Sequence, residues 1–374
     1  MRRRFSYKVI EESKVRDPYR VGIWGPGSLG QSAIRQLVRL PETELVAVMA
    51  YSDEKNGVDA GDLVGIPSTG VRMTTDMETF ISARPEVVLH TARDFGDFRS
   101  DEEIIALLEA GIDVISVLPY QYPIARGQEA HDRLQAAALK GGATLHGTGI
   151  DPGFLYERLA ATMTGMSNEI TQIRLEEYFN CSDLENGGLL ELYGFGTSLE
   201  EMEQNEVPAQ MAENYLTMGI QYLADNLGVP IKNIERKSHH KLTANDIKLN
   251  NGFSAKAGTV GTVSFEWLAY TEDDLPMFQV QVVWYLDGSM RPDAALADGY
   301  WIIEIEGTPS SRLGLEIKGS MKNDLMITER DPTPGAYLAT MVPAVQAIPK
   351  VVAAEPGILV AEMPEFYWKP DMRR

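Results

Sequence analysis

Three glycines near the start of the chain, Gly25, Gly27 and Gly30, have the spacing G-x-G-x-x-G. An apolar run at residues 21–24 precedes them, and apolar residues at helical spacing follow them. Gly25 permits a tight turn out of a strand, Gly27 lets the backbone approach a pyrophosphate, and Gly30 lets the helix pack closely on the strand. Because the N-terminus of such a helix binds phosphate, the spacing predicts a dinucleotide site.

The residues after the next apolar strand, at 45–50, bear on the choice of dinucleotide. Ser52 and Lys55 supply a hydroxyl and a cation, which suit the 2′-phosphate of NADP. Asp53 supplies a carboxylate, which suits the free 2′-hydroxyl of NAD. An ordinary solvated loop would contain the same residues. We therefore predict NADP or NAD as the cofactor, with NADP favoured by Ser52 and Lys55.

Hydride transfer also needs a proton donor at the reacting carbon's substituent. The candidates follow strand ends or lie on a strand of the second half, and they are Tyr120, Tyr122, His90, Asp151 and Glu177. Three of them have an alternative role: Tyr120 suits a cleft wall, His90 suits the core, and Asp151 suits the cap of a helix that starts at Phe154. The catalytic set is predicted as Tyr120, His90, Asp151 and Glu177.

Alternating elements must position these residues. Strands at 85–92, 112–117 and 144–146 alternate with helices at 101–110 and 128–140, which predicts an α/β domain with a parallel sheet. Beyond residue 150, strands at 169–179, 258–271, 277–286, 300–307 and 312–319 surround a helix at 208–227. This half is predicted to be an α+β domain with an open, mostly antiparallel sheet.

The domain boundaries follow from these patterns. We expect a polar extension at 1–18, a Rossmann dinucleotide-binding domain at 19–150, and a substrate and dimerisation domain at 151–334. Residues 335–374 are expected to pack back on the nucleotide domain. Apolar residues recur there at helical spacing, although Pro343 and Pro349 are expected to kink or interrupt the helix.

Composition limits the class of protein. Of the 374 residues, 44% are hydrophobic and 24% are charged, as in a soluble globular protein. The net charge of −20 opposes binding to nucleic acid or to an anionic membrane. A single cysteine, Cys181, excludes an intramolecular disulfide and fits a cytoplasmic location. No His, Cys and carboxylate residues have metal-ligand spacing, so we expect no metal.

Several segments together resemble those of one enzyme family: IWGPGSLG at 23–30, DAGDLVG at 59–65, GTGIDPGF at 147–154 and MVPAVQAIPKVVAAEPGIL at 341–359. Over residues 19–365 the chain resembles the dihydrodipicolinate-reductase-like oxidoreductases. This family includes 2,4-diaminopentanoate dehydrogenase and the native amine dehydrogenases. The resemblance implies an NAD(P)-dependent enzyme that transfers hydride to a C=O or C=N carbon in a cleft between the two domains.

The resemblance also implies roles for individual residues. The pyrophosphate would be held by Gly25, Pro26, Gly27, Ser28, Leu29 and Gly30. The nicotinamide and its ribose would lie near His90, Thr91 and Ala92. The substrate would face the strand that carries Glu176, Glu177 and Tyr178, and segment 147–154 would close the cleft. The sheet of the second domain would form the contact of a homodimer.

The chain departs from the family in two places. In the amine dehydrogenases a carboxylate follows the strand equivalent to 112–117, whereas the loop here, LPYQYP at 118–123, has none. In the dihydrodipicolinate reductases a His-His pair comes soon after the equivalent of 147–154, whereas His239 and His240 come much later. We expect these two histidines on a polar strand edge.

Three functions remain open at this stage. The first is NAD(P)H-dependent reduction of a ketone or imine on a small-to-medium apolar substrate. The second is ammonia-dependent reductive amination, as in an amine dehydrogenase. The third is a nucleotide-binding sensor or scaffold without turnover, which the missing family acids would allow.

Overall fold

The computed structural model describes residues 16–184, 187–292, 300–321 and 333–364. Of the predicted polar extension at 1–18, residues 1–15 lie outside these ranges, as does the chain from residue 365 onward. None of the helices within the described ranges is long and apolar enough to cross a membrane.

The first half contains a six-stranded sheet whose neighbouring strands are all parallel, in the order β15-β5-β4-β3-β1-β2. Its strands are β1 (Tyr19–Trp24), β2 (Thr43–Met49), β3 (Val87–His90), β4 (Asp113–Ser116), β5 (Thr144–Gly147) and β15 (Gly357–Ile358). The buried faces of β3, β4 and β5 explain why the sequence has continuous apolar runs there.

Helices cover both faces of this sheet. They are α1 (Ser28–Arg39), α2 (Ala60–Val64), α3 (Met77–Ser82), α4 (Asp101–Glu109) and α5 (Gln128–Gly141). One apolar core contains residues of α1 and α2, and a second core, on the other face, contains residues of α3, α4 and α5. This is the doubly wound α/β arrangement that the sequence predicts.

The second half contains a larger sheet in the order β14-β13-β6-β12-β11-β7, with β8 beside β11. Its strands are β6 (Asn168–Asn180), β7 (Ile231–Ser238), β8 (Lys241–Leu242), β11 (Val260–Thr271), β12 (Pro276–Tyr285), β13 (Tyr300–Thr308) and β14 (Ser311–Glu316). Among the described strands only β6 and β12 pair in parallel, so the predicted open and mostly antiparallel sheet is confirmed. A separate two-stranded ribbon joins β9 (Ile247–Lys248) and β10 (Ser254–Ala255).

Helices connect the two halves. A π-helical segment, Leu155–Ala160, leads into α6 (Ala161–Thr164), followed by α7 (Gly187–Leu192), α8 (Leu199–Gln204) and α9 (Val207–Leu227). Apolar residues of α9 share one core with β6, β11 and β12, so this helix covers a single face of the second sheet. The ring of Tyr156 packs on α9 at Gly219, where a Cβ would lie 2.5 Å from a ring carbon.

The last helix, α10 (Gly335–Val352), runs without interruption through Pro343 and Pro349. The two prolines therefore do not interrupt the helix, and the expected kink stays a prediction. Met341, Val345 and Ile348 are buried in the core that also contains residues of α1 and β1. This burial stabilises the helix despite the backbone hydrogen bonds that the two prolines remove.

Candidate active site

The glycine turn has the geometry that each glycine was expected to provide. Gly25 has a φ of 92°, in the region that favours glycine. A Cβ on Gly30 would lie 2.4 Å from the carbonyl oxygen of Gly25, whereas a Cβ on Gly27 would have no neighbour within 4 Å. The turn is therefore tight at Gly25, closely packed at Gly30 and open at Gly27, and the first turn of α1 carries no acidic residue. These features fit the pyrophosphate of a dinucleotide.

Lys55 reaches back from the end of β2 to the glycine turn. Its Nζ donates a hydrogen bond to the carbonyl oxygen of Pro26 at 3.0 Å. Ser52 precedes the 3₁₀ turn Asp53–Lys55, and both Ser52 and Asp53 are exposed. A cation thus stands beside the open side of the glycine turn.

The two residues at the end of β3 have different surroundings. Thr91 Oγ1 donates to the carbonyl oxygen of Gly25 at 2.6 Å, so Thr91 holds the glycine turn in place. His90 is fully buried, with Nδ1 3.2 Å from Ser116 Oγ and Nε2 3.5 Å from Glu103 Oε2. This environment matches the core-histidine alternative, because the imidazole is enclosed and both ring nitrogens have polar neighbours. Ala92, by contrast, is partly exposed.

The tyrosines of loop 118–122 use their hydroxyl groups in structural contacts. Tyr120 is 1% exposed and donates to Asp101 Oδ1 at 2.7 Å. Arg126 binds the same carboxylate through both terminal nitrogens, at 2.9 and 2.5 Å. Burial, followed by the charge of Asp101, raises the pKa of Tyr120, which is opposite to the lowering that a proton donor would need. Tyr122 donates instead to Asp225 of α9 at 2.7 Å.

Asp151 lies in the turn between β5 and the π-helical segment. No side chain caps that helix, so the capping interpretation of Asp151 was wrong. The N–H of Gly153 donates to Glu157 Oε2 at 3.2 Å instead. Asp151 Oδ2 is buried and has no hydrogen-bond partner within the described ranges. Burial, and then the negative charges of Glu177 and Glu157, raise the pKa of Asp151 well above its ordinary value.

Glu177 is the only one of the three implied β6 residues on the Asp151 side of the sheet. Its Oε1 and Oε2 accept hydrogen bonds from the indole N–H groups of Trp284 and Trp301, at 2.7 and 2.9 Å. Burial raises the pKa of Glu177, and these two bonds oppose the rise. Glu176 lies on the opposite face, where it pairs with Arg174 and accepts from Tyr178 at 2.8 Å. The implied substrate-facing role of Glu176 and Tyr178 is therefore not supported, because side chains alternate along a strand.

Asp94 is a carboxylate at this junction that the sequence analysis did not single out. It lies in the loop after β3, where its Oδ1 accepts from the N–H of Gly96 at 2.8 Å. The carbonyl oxygen of Gly96 accepts from Asn214 of α9 at 2.9 Å, which connects the loop to the second half. Burial raises the pKa of Asp94. A carboxylate just after a parallel strand was the available signal, because ligands bind at the carboxyl ends of such strands.

Aromatic rings accompany these carboxylates. Tyr193 stacks on Trp284 with ring centroids 4.9 Å apart. Burial raises the pKa values of Tyr193 and Tyr215, and the charges of Glu177 and Asp94 raise both further. The two tyrosines are therefore neighbours of the carboxyl groups. The loops after β3, β4 and β5 thus meet the second sheet at a junction with acidic and aromatic side chains.

His239 and His240 lie at the edge of the second sheet, as expected. They follow the edge strand β7, with His239 Nε2 3.4 Å from Glu266 and the N–H of Ser264 donating to His240 Nδ1 at 3.3 Å.

No family model matches the chain. An amine dehydrogenase from Streptomyces virginiae is 28% identical over 352 residues, which are 90% of this chain and 93% of that protein. A 2,4-diaminopentanoate dehydrogenase from Acetoanaerobium sticklandii is 24% identical over 346 residues, 91% of each chain. The solved structure of an amine dehydrogenase from Mycobacterium smegmatis superposes with a TM-score of 0.78 at 21% identity, covering 96% of this chain and 98% of that one.

The chain is an NAD(P)-dependent oxidoreductase. The resemblance to the group of amine dehydrogenases and 2,4-diaminopentanoate dehydrogenase is confirmed. Among the described residues, the glycine turn is the site whose geometry fits the pyrophosphate of a nicotinamide dinucleotide.

Proposed function

We propose that this oxidoreductase catalyses the reductive amination of a small-to-medium apolar ketone, reducing the imine that the ketone forms with ammonia. The observation that carries the proposal is the set of carboxyl groups at the junction. This set consists of Asp94, Asp151, Glu157 and Glu177. In the described part of the chain, no lysine or arginine forms an ion pair with any of these four carboxyl groups. Such a set attracts ammonium and iminium ions and repels carboxylates.

In the proposed reaction, ammonia displaces the ketone oxygen as water, the C=N carbon gains a hydride and the nitrogen gains a proton. A bound nicotinamide dinucleotide supplies the hydride. The protein must hold the C=N bond in place, exclude water and stabilise positive charge on the nitrogen. The amine dehydrogenase relatives support this choice over reduction of the ketone itself.

Asp151 is proposed as the residue that holds the proton for the substrate nitrogen. Its buried Oδ2 has no partner within the described residues, and its raised pKa favours the protonated form. Tyr120, Tyr122 and His90 have their polar atoms in contacts with protein groups. Glu177 is proposed as a fixed charge near the nitrogen, because both its oxygens are already held by indole N–H groups.

The aromatic side chains support an apolar substrate body. The stacked pair Tyr193 and Trp284 and the nearby Tyr215 provide ring surface next to the carboxyl groups. Aromatic faces bind apolar groups and also attract cations. The site therefore combines surface for an alkyl or aryl group with negative charge for the nitrogen.

For the cofactor we propose a preference for NADP over NAD. The supporting observation is the position of the Lys55 ammonium group, 3.0 Å from the carbonyl oxygen of Pro26. A cation at this place can pair with the 2′-phosphate, and the exposed hydroxyl of Ser52 can donate to it. Asp53 is exposed and pairs with no cation in the described residues.

A homodimer is also proposed, through the face of the second sheet opposite to Glu177. On that face Tyr178, Val283, Tyr300 and Ile302 form a separate apolar cluster that is already buried within the chain, so a partner would contact the residues around it. The partly exposed Gln279 and Gln281 lie on the same face, with alternate side chains of β12 in the core. Light scattering of the purified protein is expected to give the mass of two chains, and a mass of one chain contradicts this arrangement.

The experiment that tests the function measures NADPH consumption on a panel of apolar ketones with and without ammonium. We expect turnover that requires ammonium and yields the amine. Equal rates without ammonium, with an alcohol as product, would instead establish the enzyme as a carbonyl reductase. Ammonium sulfate and sodium sulfate at matched ionic strength separate the chemical requirement from a salt effect.

A further inference from the structure

Glu157 is a second buried carboxyl group beside Asp151. It is 1% exposed and lies in the π-helical segment that follows the Asp151 turn. Its Oε2 accepts from the N–H of Gly153, whereas its Oε1 is buried and has no hydrogen-bond partner in the described residues. Asp151 Oδ2 is likewise buried and has no hydrogen-bond partner in the described residues. Two unpartnered carboxyl oxygens therefore lie on either side of one short turn.

The other charged and titratable groups around this pair come from three elements. Glu177 of β6 adds a negative charge that raises the pKa of Asp151. The hydroxyl of Tyr156, on the same segment as Glu157, is buried and also lacks a partner in the described residues, while Tyr215 and Tyr222 come from α9. Arg158 is exposed, and its charge weakly favours ionised Glu157. Ionising Asp151, Glu157 and Glu177 together would place three interacting negative charges in a buried site. Because this costs free energy, at least one of the three carboxyl groups keeps its proton.

We propose that Glu157 is a positioning residue that keeps Asp151 protonated, so that Asp151 holds a proton when the substrate nitrogen needs it. In the reducing direction the O–H bond of Asp151 breaks, an N–H bond forms, and water returns a proton to the resulting carboxylate. Glu157 itself does not contact the reacting atoms. When Glu157 is ionised, its charge disfavours a second anion at Asp151. This inference rests on the proposed function for its kinetic consequence, but not for its effect on the proton of Asp151.

The test compares wild-type protein with Glu157→Gln, which keeps an oxygen that can accept from Gly153 but cannot ionise. The infrared band of protonated carboxyl groups is followed against pH in the folded protein, with Asp151→Asn identifying the contribution of Asp151. In Glu157→Gln we expect the Asp151 proton to be lost at a pH lower by about 1 unit. The alkaline limb of the kcat profile for amination should shift by the same amount.

Controls separate this inference from the proposed function. Glu157→Asp retains the charge and should restore most of the wild-type profile, and Glu200→Gln changes an exposed carboxyl of α8 and should have no effect. An unchanged rise in Tm with NADPH shows that each variant is folded. If no ketone is turned over, the proposed function fails while the infrared titration still reports on Asp151. If Glu157→Gln titrates like wild type in the infrared, the role of Glu157 is overturned.

Discussion

The hydroxyl of Tyr120 donates a hydrogen bond to Asp101 Oδ1 across 2.7 Å, in a contact that is closed to solvent. Arg126 neutralises the carboxylate and stacks on Phe98 at 3.7 Å, so the loop after β4 is held against α4. The resemblance to the amine dehydrogenases implies an acid in this loop, whereas residues 118–123 contain none. Because the Tyr120 proton is already engaged, we assign the proton of the reaction to Asp151.

Tyr120→Phe should therefore affect stability more than chemistry. The substitution removes one hydrogen bond to a charged acceptor and leaves Asp101 paired with Arg126, so we expect a loss of about 1 to 2 kcal/mol in the free energy of unfolding. The kcat should remain close to the wild-type value. Urea unfolding and steady-state kinetics measure the two effects, and a large loss of kcat in a stable variant would return Tyr120 to the catalytic set.

Asp151→Asn should abolish proton donation without disturbing the cofactor site. Positioned general acids contribute typically 10²–10⁴-fold, so we expect kcat to fall by about 100-fold or more. The dissociation constant for NADPH should not change, because the glycine turn is on β1 and α1. Asp62→Asn, at an exposed carboxyl of α2, serves as the matched control. A fully active Asp151→Asn variant would contradict the assignment.

Two alanine substitutions in the glycine turn should have opposite consequences. At Gly30 a Cβ meets the carbonyl oxygen of Gly25 at 2.4 Å, so Gly30→Ala should destabilise the fold by about 1 to 3 kcal/mol. At Gly27 a Cβ meets nothing within 4 Å, so Gly27→Ala should leave the Tm of the free protein unchanged. It should, however, reduce the rise in Tm with NADPH, because the methyl group occupies the space of the approaching pyrophosphate.

Lys55→Ala should distinguish the two cofactors. Loss of a charged hydrogen-bond donor to the 2′-phosphate is expected to weaken NADPH binding by about tenfold and to leave NADH binding nearly unchanged. Calorimetric titration with both nucleotides measures the difference. Lys140→Ala, on the exposed end of α5, provides the control. Equal weakening of NADH and NADPH would show that Lys55 acts on the glycine turn rather than on the phosphate.

The buried carboxyl of Glu157 gives a prediction on stability. Burial raises its pKa from 4.5 in the unfolded chain to about 7 in the folded protein, so the folded state holds the proton more tightly. The resulting contribution to stability is fully present below pH 4.5 and is lost as pH rises to about 7. A shift of this size corresponds to about 3 kcal/mol. Glu157→Gln should therefore be more stable than wild type above pH 7 and about equally stable in acid. Urea unfolding at a series of pH values measures this difference.

The sequence predicts the glycine turn well because all of its constraints are local. Gly25, Gly27 and Gly30 follow an apolar strand and precede a helix, and the structure assigns each a distinct geometry. The parallel strands are similarly recognisable, because β3, β4 and β5 are buried on both faces. The sequence did not predict strand β15, because two residues at the edge of a sheet are too few to show the alternation of buried and exposed side chains.

The junction could not be derived in the same way. Asp151 stands where the sequence predicts a helix cap. In the structure, however, the N–H of Gly153 donates to Glu157, and this hydrogen bond could not be predicted from the sequence. Asp94 is brought to the junction by the contact of Gly96 with Asn214, more than 100 residues away in the chain. Likewise, α10 passes through two prolines because tertiary burial outweighs the local preference of the backbone.

Reductive amination can be tested by following the transferred hydride. The enzyme is incubated with an apolar ketone, ammonium and NADPH that carries deuterium at the transferred position, and the products are analysed by mass spectrometry. An enzyme that catalyses reductive amination should give an amine with one deuterium on the carbon that bears nitrogen, and no labelled product when ammonium is omitted. A labelled alcohol, formed equally with and without ammonium, would show that the enzyme reduces the ketone itself and would overturn the proposed function.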